Sequence, residues 1–248
     1  MELFKYMPYR ETFFETLLLG FTELSNANDP FEGAIQITSI YDGLPNAAEF
    51  SKTLSRLKDK NKVNPHPNLC ALSLSKSKHS LLMWAHYADN HKGIILGLDT
   101  SHRFFNQTIK PRASAPFEDT SFCGKMLPVT YDRVRPKFKF GLNFSEAILT
   151  KSDEWMYEKE YRMFMRKSDC NELAKDKDGN IISHVFLFKI PPDSIKRIII
   201  GERLDHQTVI NDFKIAKNKS PELSHVIIEK AEVHMDLYHI EHRKLETN

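Results

Sequence analysis

Ser80–Asp99, SLLMWAHYADNHKGIILGLD, reads as a helix passed directly to a buried strand. Ser80 is a good N-cap, and Leu82, Trp84, Ala85 and Ala88 suit one helical face within Ser80–Asn90. Gly93 breaks that pattern before the apolar run Gly93–Asp99. Upstream, Leu3–Met7 predicts a strand stopped by Pro8, Arg10–Leu19 a helix stopped by Gly20, and Phe21–Leu24 a short strand. Asn26–Gly33, NANDPFEG, predicts a loop, Ala47–Lys60 an amphipathic helix, Asn61–Asn68 a connector and Leu69–Leu74 a strand. Downstream, Lys110–Lys139 is irregular around a strand at Leu127–Tyr131, and Phe144–Lys151 suits a helix. Tyr157–Met165 runs from a helix end or turn into a strand. Ser168–Asn180 suits a surface loop with a turn at Asp178-Gly179. Val185–Ile190, Ile195–Gly201, Val226–Lys230 and Val233–Ile240 predict strands, Leu204–Ala216 a helix, and the tail is polar. This order lacks strict βαβα alternation. It predicts an α+β fold over residues 1–248, one domain with a mixed, largely antiparallel sheet and flanking helices.

Composition bounds the function. The 248 residues carry 35 Lys+Arg against 33 Asp+Glu, a formal charge of +2. That balance excludes a globally basic, histone-like binder and leaves a local basic groove open. Cys70, Cys123 and Cys170 lie far apart, which argues against a disulfide framework or zinc ribbon and for a reducing compartment. No secretory pattern or membrane-length apolar run stands out, so a cytoplasmic location is expected. The dispersed histidines form no metal pattern, and no metal is expected. Phosphate-loop, dinucleotide, zinc-protease and hydrolase-elbow motifs are missing.

Three clusters carry chemistry. Lys5-Tyr6 precedes the turn-rich NDPFE, and suits either an edge strand packed through Tyr6 or part of a site. Trp84, His86 and Tyr87 share one helical turn. Neighbouring helix positions diverge, so His86 or Tyr87 should face a cleft while the other aromatics pack. In WMYEKEYR, an extended chain would put Glu158, Glu160 and Arg162 on one face. Such a trio suits either a surface ion-pair ladder or a polar-ligand site.

Together, LFKY, NDPFE, LLMWAHYADNHKGIILGLD and W-x-YEKEYR resemble a widespread bacterial family catalogued as a domain of unknown function. The resemblance covers most of residues 1–165. More distantly, the order of elements resembles the ADP-ribosyltransferase fold of poly(ADP-ribose) polymerases and bacterial DNA-targeting toxins. That resemblance implies NAD as substrate, with Lys5 standing where the family carries His or Arg. It also implies Tyr87 as the stacking tyrosine, Glu160 as the catalytic carboxylate and Glu158 as its partner. Tyr6, Trp84, His86 and Arg162 complete the candidate NAD contacts. The implied role is a toxin or phage-defence effector modifying nucleic acid or protein, with an antitoxin or immunity protein as a possible partner.

Two alternatives compete. Basic residues Lys110, Arg112, Arg133, Arg135 and Lys137, interleaved with aromatics, suit a nucleic-acid groove or a solvated loop. A catalytically inactive scaffold of the same fold would have its cleft blocked, or would tie Glu160 in an ion pair away from any pocket.

Overall fold

Strand β1 (Glu2–Met7) sends Leu3 and Met7 into one hydrophobic cluster and Phe4 and Tyr6 into another, so its period-two alternation feeds both faces of a sheet. The structure is a computed structural model that describes residues 1–32, 68–112, 120–136 and 144–246. The predicted helix 47–60, nearly all of the connector 61–68 and Lys137 lie outside these residues.

The fold is α+β, with few helices around a large, mostly antiparallel sheet. The strands after β1 are β2 (Leu18–Thr22), β3 (Leu69–Ser75), β4 (Ile94–Asp99), β5 (Leu127–Pro128), β6 (Thr130–Asp132), β7 (Thr150–Ser152) and β8 (Glu160–Arg166). They continue through β9 (Glu172–Lys175), β10 (Ile181–Lys189), β11 (Ile195–Ile200), β12 (Ile227–Val233) and β13 (Ile240–Lys244). Among the described residues, eleven strands share one sheet, ordered β13-β12-β11-β4-β1-β3-β2-β10-β9, with β8 on β3 and β5 on β8. Strands β6 and β7 form a separate parallel pair, and β11–β12 is the parallel step in the large sheet.

Helices α1 (Phe13–Thr16) and α4 (His206–Lys219) cover the face of the larger core, where Phe14 meets Phe213 edge-on. Helix α2 (Leu81–Tyr87) covers the other face, with Trp84 against Tyr6. The Ser80 side chain accepts from the Met83 amide, as its N-cap position predicts. Helix α3 (Phe144–Ile148) leads into β7. None of the helices among the described residues is long and apolar enough to cross a membrane.

Three sequence expectations change. The helix predicted over Arg10–Leu19 ends at Thr16, because Leu17 turns left-handed and Leu18–Thr22 joins β10 over five register pairs. Cross-strand burial of Leu19 and Phe21, two residues apart on one face of β2, outweighs the helical spacing of Phe14, Leu17 and Leu18. The strand predicted at Val233–Ile240 keeps only its two end residues in strands, and 234–239 form the connection between β12 and β13, where the His234 ring accepts from the Asp236 and Leu237 amides. The polar tail supplies β13, which pairs with β12 through Glu232↔Glu241 and Lys230↔Arg243. Ser168–Asn180 also contains β9 rather than a loop alone.

Gly93 does more than end a helix. A Cβ there would overlap the Met7 carbonyl oxygen and the Ala88 backbone where β1, α2 and β4 meet. Gly93→Ala should therefore cost about 1–3 kcal/mol through overpacking. A thermal melt checks this, and an unchanged midpoint would show that the backbone can yield there.

Candidate functional site

The sheet opens beside β1. This strand pairs with β4 over six positions but with β3 at one, Phe4↔Ser75. Below that pair the two strands part, and the Ser73 carbonyl takes its hydrogen bond from Lys5 Nζ at 3.1 Å instead of a strand amide. The opening is a cleft of about 380 Å³, within the ordinary range for small-molecule sites. Lys5, Tyr6, His86, Tyr87, Glu158, Glu160 and Arg162 all line it. Of the residues expected to hold NAD, Trp84 does not. It is fully buried between Tyr6 and His91, because the α2 face that carries it is the face packed on the sheet.

The acidic pair arrives by a different backbone path from the expected one. Glu158 ends a 3₁₀ turn (Asp153–Glu158), Lys159 turns left-handed, and Glu160 opens β8. The carboxylates nevertheless share a cation. Lys151 Nζ lies 2.6 Å from Glu158 Oε2 and 3.5 Å from Glu160 Oε2. Tyr87 Oη donates to Glu158 Oε1 at 2.6 Å, and Ser75 Oγ donates to the Glu158 carbonyl at 2.6 Å.

Arg162 is 1% exposed. Its Nε and Nη2 grip both oxygens of Glu160 at 2.8 and 2.9 Å, and its Nη groups also hold Glu32 and, at 2.7 Å, the Ile148 carbonyl. A guanidinium has five N–H donors, and here all five are taken. Arg162 is thus a brace for the carboxylates rather than a free cation for a pyrophosphate, which corrects its expected role.

Electrostatics divides the two acids. Burial alone would raise Glu160, but Arg162, then Lys151 and Ser73, more than offset it and hold its pKa at about 2. Glu158 moves up, first through burial and then through Glu160, against the opposing pull of Lys151. Three carboxylates here face two embedded cations, Lys151 and Arg162. This surplus of negative charge raises the proton affinity of Glu158, the carboxylate that Arg162 does not hold. Lys5 supplies a third cation at the wall, and burial pushes its pKa down to about 8 while Glu160 pulls it up. Paired groups driven apart in this way are suited to opposite roles in proton transfer.

Glu32, Lys151 and Ser73 are not singled out by the sequence, and Tyr131 stands there only among the aromatics interleaved with the basic stretch. Glu32 lies within the NDPFE motif and so had a signal, whereas Lys151 was expected at a helix end. Tyr131 Oη accepts from the Glu160 amide at 2.7 Å and fixes the start of β8.

The basic set does not form one groove. Arg133 and Arg135 line a second cleft that meets the first at Glu32 and Lys151. Arg133 is paired with Asp153, and Arg135 lies over the Phe31 ring. Arg112 pairs with Asp169, and the Lys110 carbonyl accepts from Arg166, at the other end of β8 from Glu160. Six strand steps of roughly 3.3 Å separate the two ends by about 20 Å. Glu160 is ion-paired, as one form of the inactive-scaffold alternative required, but it lines the cleft instead of lying away from it.

Cys70, Cys123 and Cys170 are free thiols. Burial pushes Cys70 up to about 12, which makes it inert at neutral pH. Among the described residues, no group of three or more His, Cys, Asp or Glu is placed to hold a metal ion.

A family model described as "Protein of unknown function (DUF2971)" matches residues 83–163. The matched segment runs from the start of α2 into β8, so it contains His86, Tyr87, Lys151, Glu158, Glu160 and Arg162 and leaves Lys5 and Glu32 outside. No curated protein and no solved structure matches the chain.

Proposed function

We propose that the cleft binds NAD and transfers its ADP-ribosyl group to an acceptor, in an ADP-ribosyltransferase-like arrangement. The observation that carries this is the meeting of Lys5, Tyr87, Glu158 and Glu160 on one cleft, with the proton affinity of Glu158 raised and that of Glu160 lowered.

Each residue has a role that follows from its chemistry. When the bond between ribose C1′ and the nicotinamide nitrogen breaks, its electron pair neutralises the pyridinium, and neutral nicotinamide leaves. Positive charge then develops on the ribose. Glu160, ionised and fixed by Arg162, is pre-arranged to stabilise that charge. The acceptor's O–H or N–H attacks C1′ and releases a proton, which Glu158 takes up and passes to solvent. The Tyr87 ring can lie against nicotinamide while its hydroxyl orients Glu158. Lys5 supplies the cation for the diphosphate.

Release of nicotinamide from NAD by the purified chain, followed chromatographically, tests this directly. Turnover should vanish in Glu160→Gln. If the wild-type chain neither binds NAD nor releases nicotinamide, or if Glu160→Gln is as active as wild type, ribosyl transfer is excluded.

Lys5 adds a pH signature. Its charge is present below pH about 8 and lost above it. The KM for NAD should therefore rise as pH passes 8, and Lys5→Met should give a high, pH-independent KM. A wild-type KM that stays flat from pH 7 to about 9.5 would remove Lys5 from NAD binding.

A further inference from the structure

A second opening, of about 700 Å³, borders the first, and Phe4 and Glu160 line both. Its wall carries Lys76, Lys78 and Lys159 with His79. The Lys76 amide donates to the Lys159 carbonyl at 3.0 Å, so two of these lysines sit side by side. Lys159 is left-handed (φ 46°) and exposed, at the one step between Glu158 and Glu160. Lys78 lies 3.5 Å from Glu229, whose other oxygen is held by Arg197 at 2.7 Å. The acid in this wall is Glu160, already neutralised by Arg162. Half-buried Tyr131 stands among the lysines, whereas the half-buried Tyr161 packs on the larger core.

We infer that this opening binds a single-stranded nucleic acid and brings it to the edge of the catalytic cleft as the acceptor. Lys76 and Lys159, which have no acid partner among the described residues, provide phosphate contacts, and the Tyr131 ring provides base stacking. The unpaired state of Lys76 and Lys159 distinguishes them from the arginines at 112 and 133, each of which is already paired with an aspartate. Only the acceptor role rests on the ribosyl-transfer reading; strand binding does not. With transfer, the C1′ bond to nicotinamide is replaced by a bond to an N–H-bearing base nitrogen, and the proton that nitrogen loses leaves through Glu158.

Fluorescence anisotropy with a labelled 12-nucleotide single strand, measured without NAD, tests the inference. Two phosphate contacts, from Lys76 and Lys159, predict roughly 7-fold weaker binding at about 200 mM salt than at about 50 mM. Lys76→Gln with Lys159→Gln should weaken binding at least about tenfold and flatten the salt slope by about 1.4. Both positions are exposed, and a thermal melt confirms that the variant folds. Salt-independent binding, or an unchanged slope in the double variant, overturns the inference. So does binding of an acidic peptide with this lysine dependence when the strand does not bind, which would make the opening a protein-docking site. Loss of NAD affinity in the variant with strand binding intact also overturns it, by assigning the lysines to the NAD diphosphate. A chain that binds the strand but never releases nicotinamide keeps the binding site and loses ribosyl transfer, so the two failures are distinct.

Discussion

Arg162→Met should destabilise the fold by about 3–5 kcal/mol, the largest stability effect expected from a single change at the site. Methionine fills much of the arginine volume, so the cost is electrostatic rather than a cavity. Glu160 and Glu32 are each 5% exposed, and without Arg162 they would face each other with Lys151 as their shared cation. Buried carboxylates left in that state either pay desolvation or take up protons. The Ile148 carbonyl also loses its donor. Arg162→Lys keeps the charge but not the two-pronged grip, and should fall between wild type and Arg162→Met.

Acid titration gives a second readout of the same brace. Glu160 is depressed from the ordinary 4.5 to about 2. A depressed carboxylate contributes stability that is present above its unfolded pKa and lost as pH falls through the folded value. Wild type should therefore lose this contribution between pH about 4.5 and about 2, and Arg162→Met should lose less across that window. Adding Glu160→Gln to Arg162→Met should cost less than the sum of the single changes, since the brace and its carboxylate act together. Urea denaturation measures all three. A loss below about 1 kcal/mol for Arg162→Met, with additive double-variant behaviour, would mean that water already screens the cluster.

How legible this cluster was in the sequence depends on where its members lie. Glu158, Glu160 and Arg162 stand at two-residue spacing, so an extended chain predicts a shared face, and they do converge although the first is in a 3₁₀ turn. Glu32 reaches Arg162 across 130 residues. That pairing is a tertiary product, and local periodicity contains no trace of it. Trp84 shows a complementary limit: helical spacing defines a face, but not whether that face meets sheet or solvent. The fold follows the same division. Strands β1, β3, β4 and β8 have strong alternation or apolar runs, whereas β2 and β13 exist because partners β10 and β12 claim segments whose own patterns favour helix or polar tail.

Glu160→Gln should lower kcat for nicotinamide release on the order of 10³-fold or more while leaving NAD affinity within a few-fold. The asymmetry follows from when the charge is needed. Ground-state NAD has no positive ribose, so a carboxylate beside C1′ contributes little to binding and most to the charged transition state. Gln keeps the shape and one acceptor but turns an amide N–H₂ toward the Arg162 fork, so some instability accompanies the change. The KM-against-kcat split separates the two effects, because a merely misfolded fraction scales kcat without producing a 10³-fold drop in the folded molecules. Glu158→Gln should be milder when water or a strong nucleophile is the acceptor, since only the proton's destination is lost. It should also remove the ionisation that Glu158's raised proton affinity places on the acid limb of the rate profile. If Glu160→Gln instead raises KM at constant kcat, Glu160 holds substrate and does not stabilise the transition state, and the carboxylate beside C1′ would have to be Glu158.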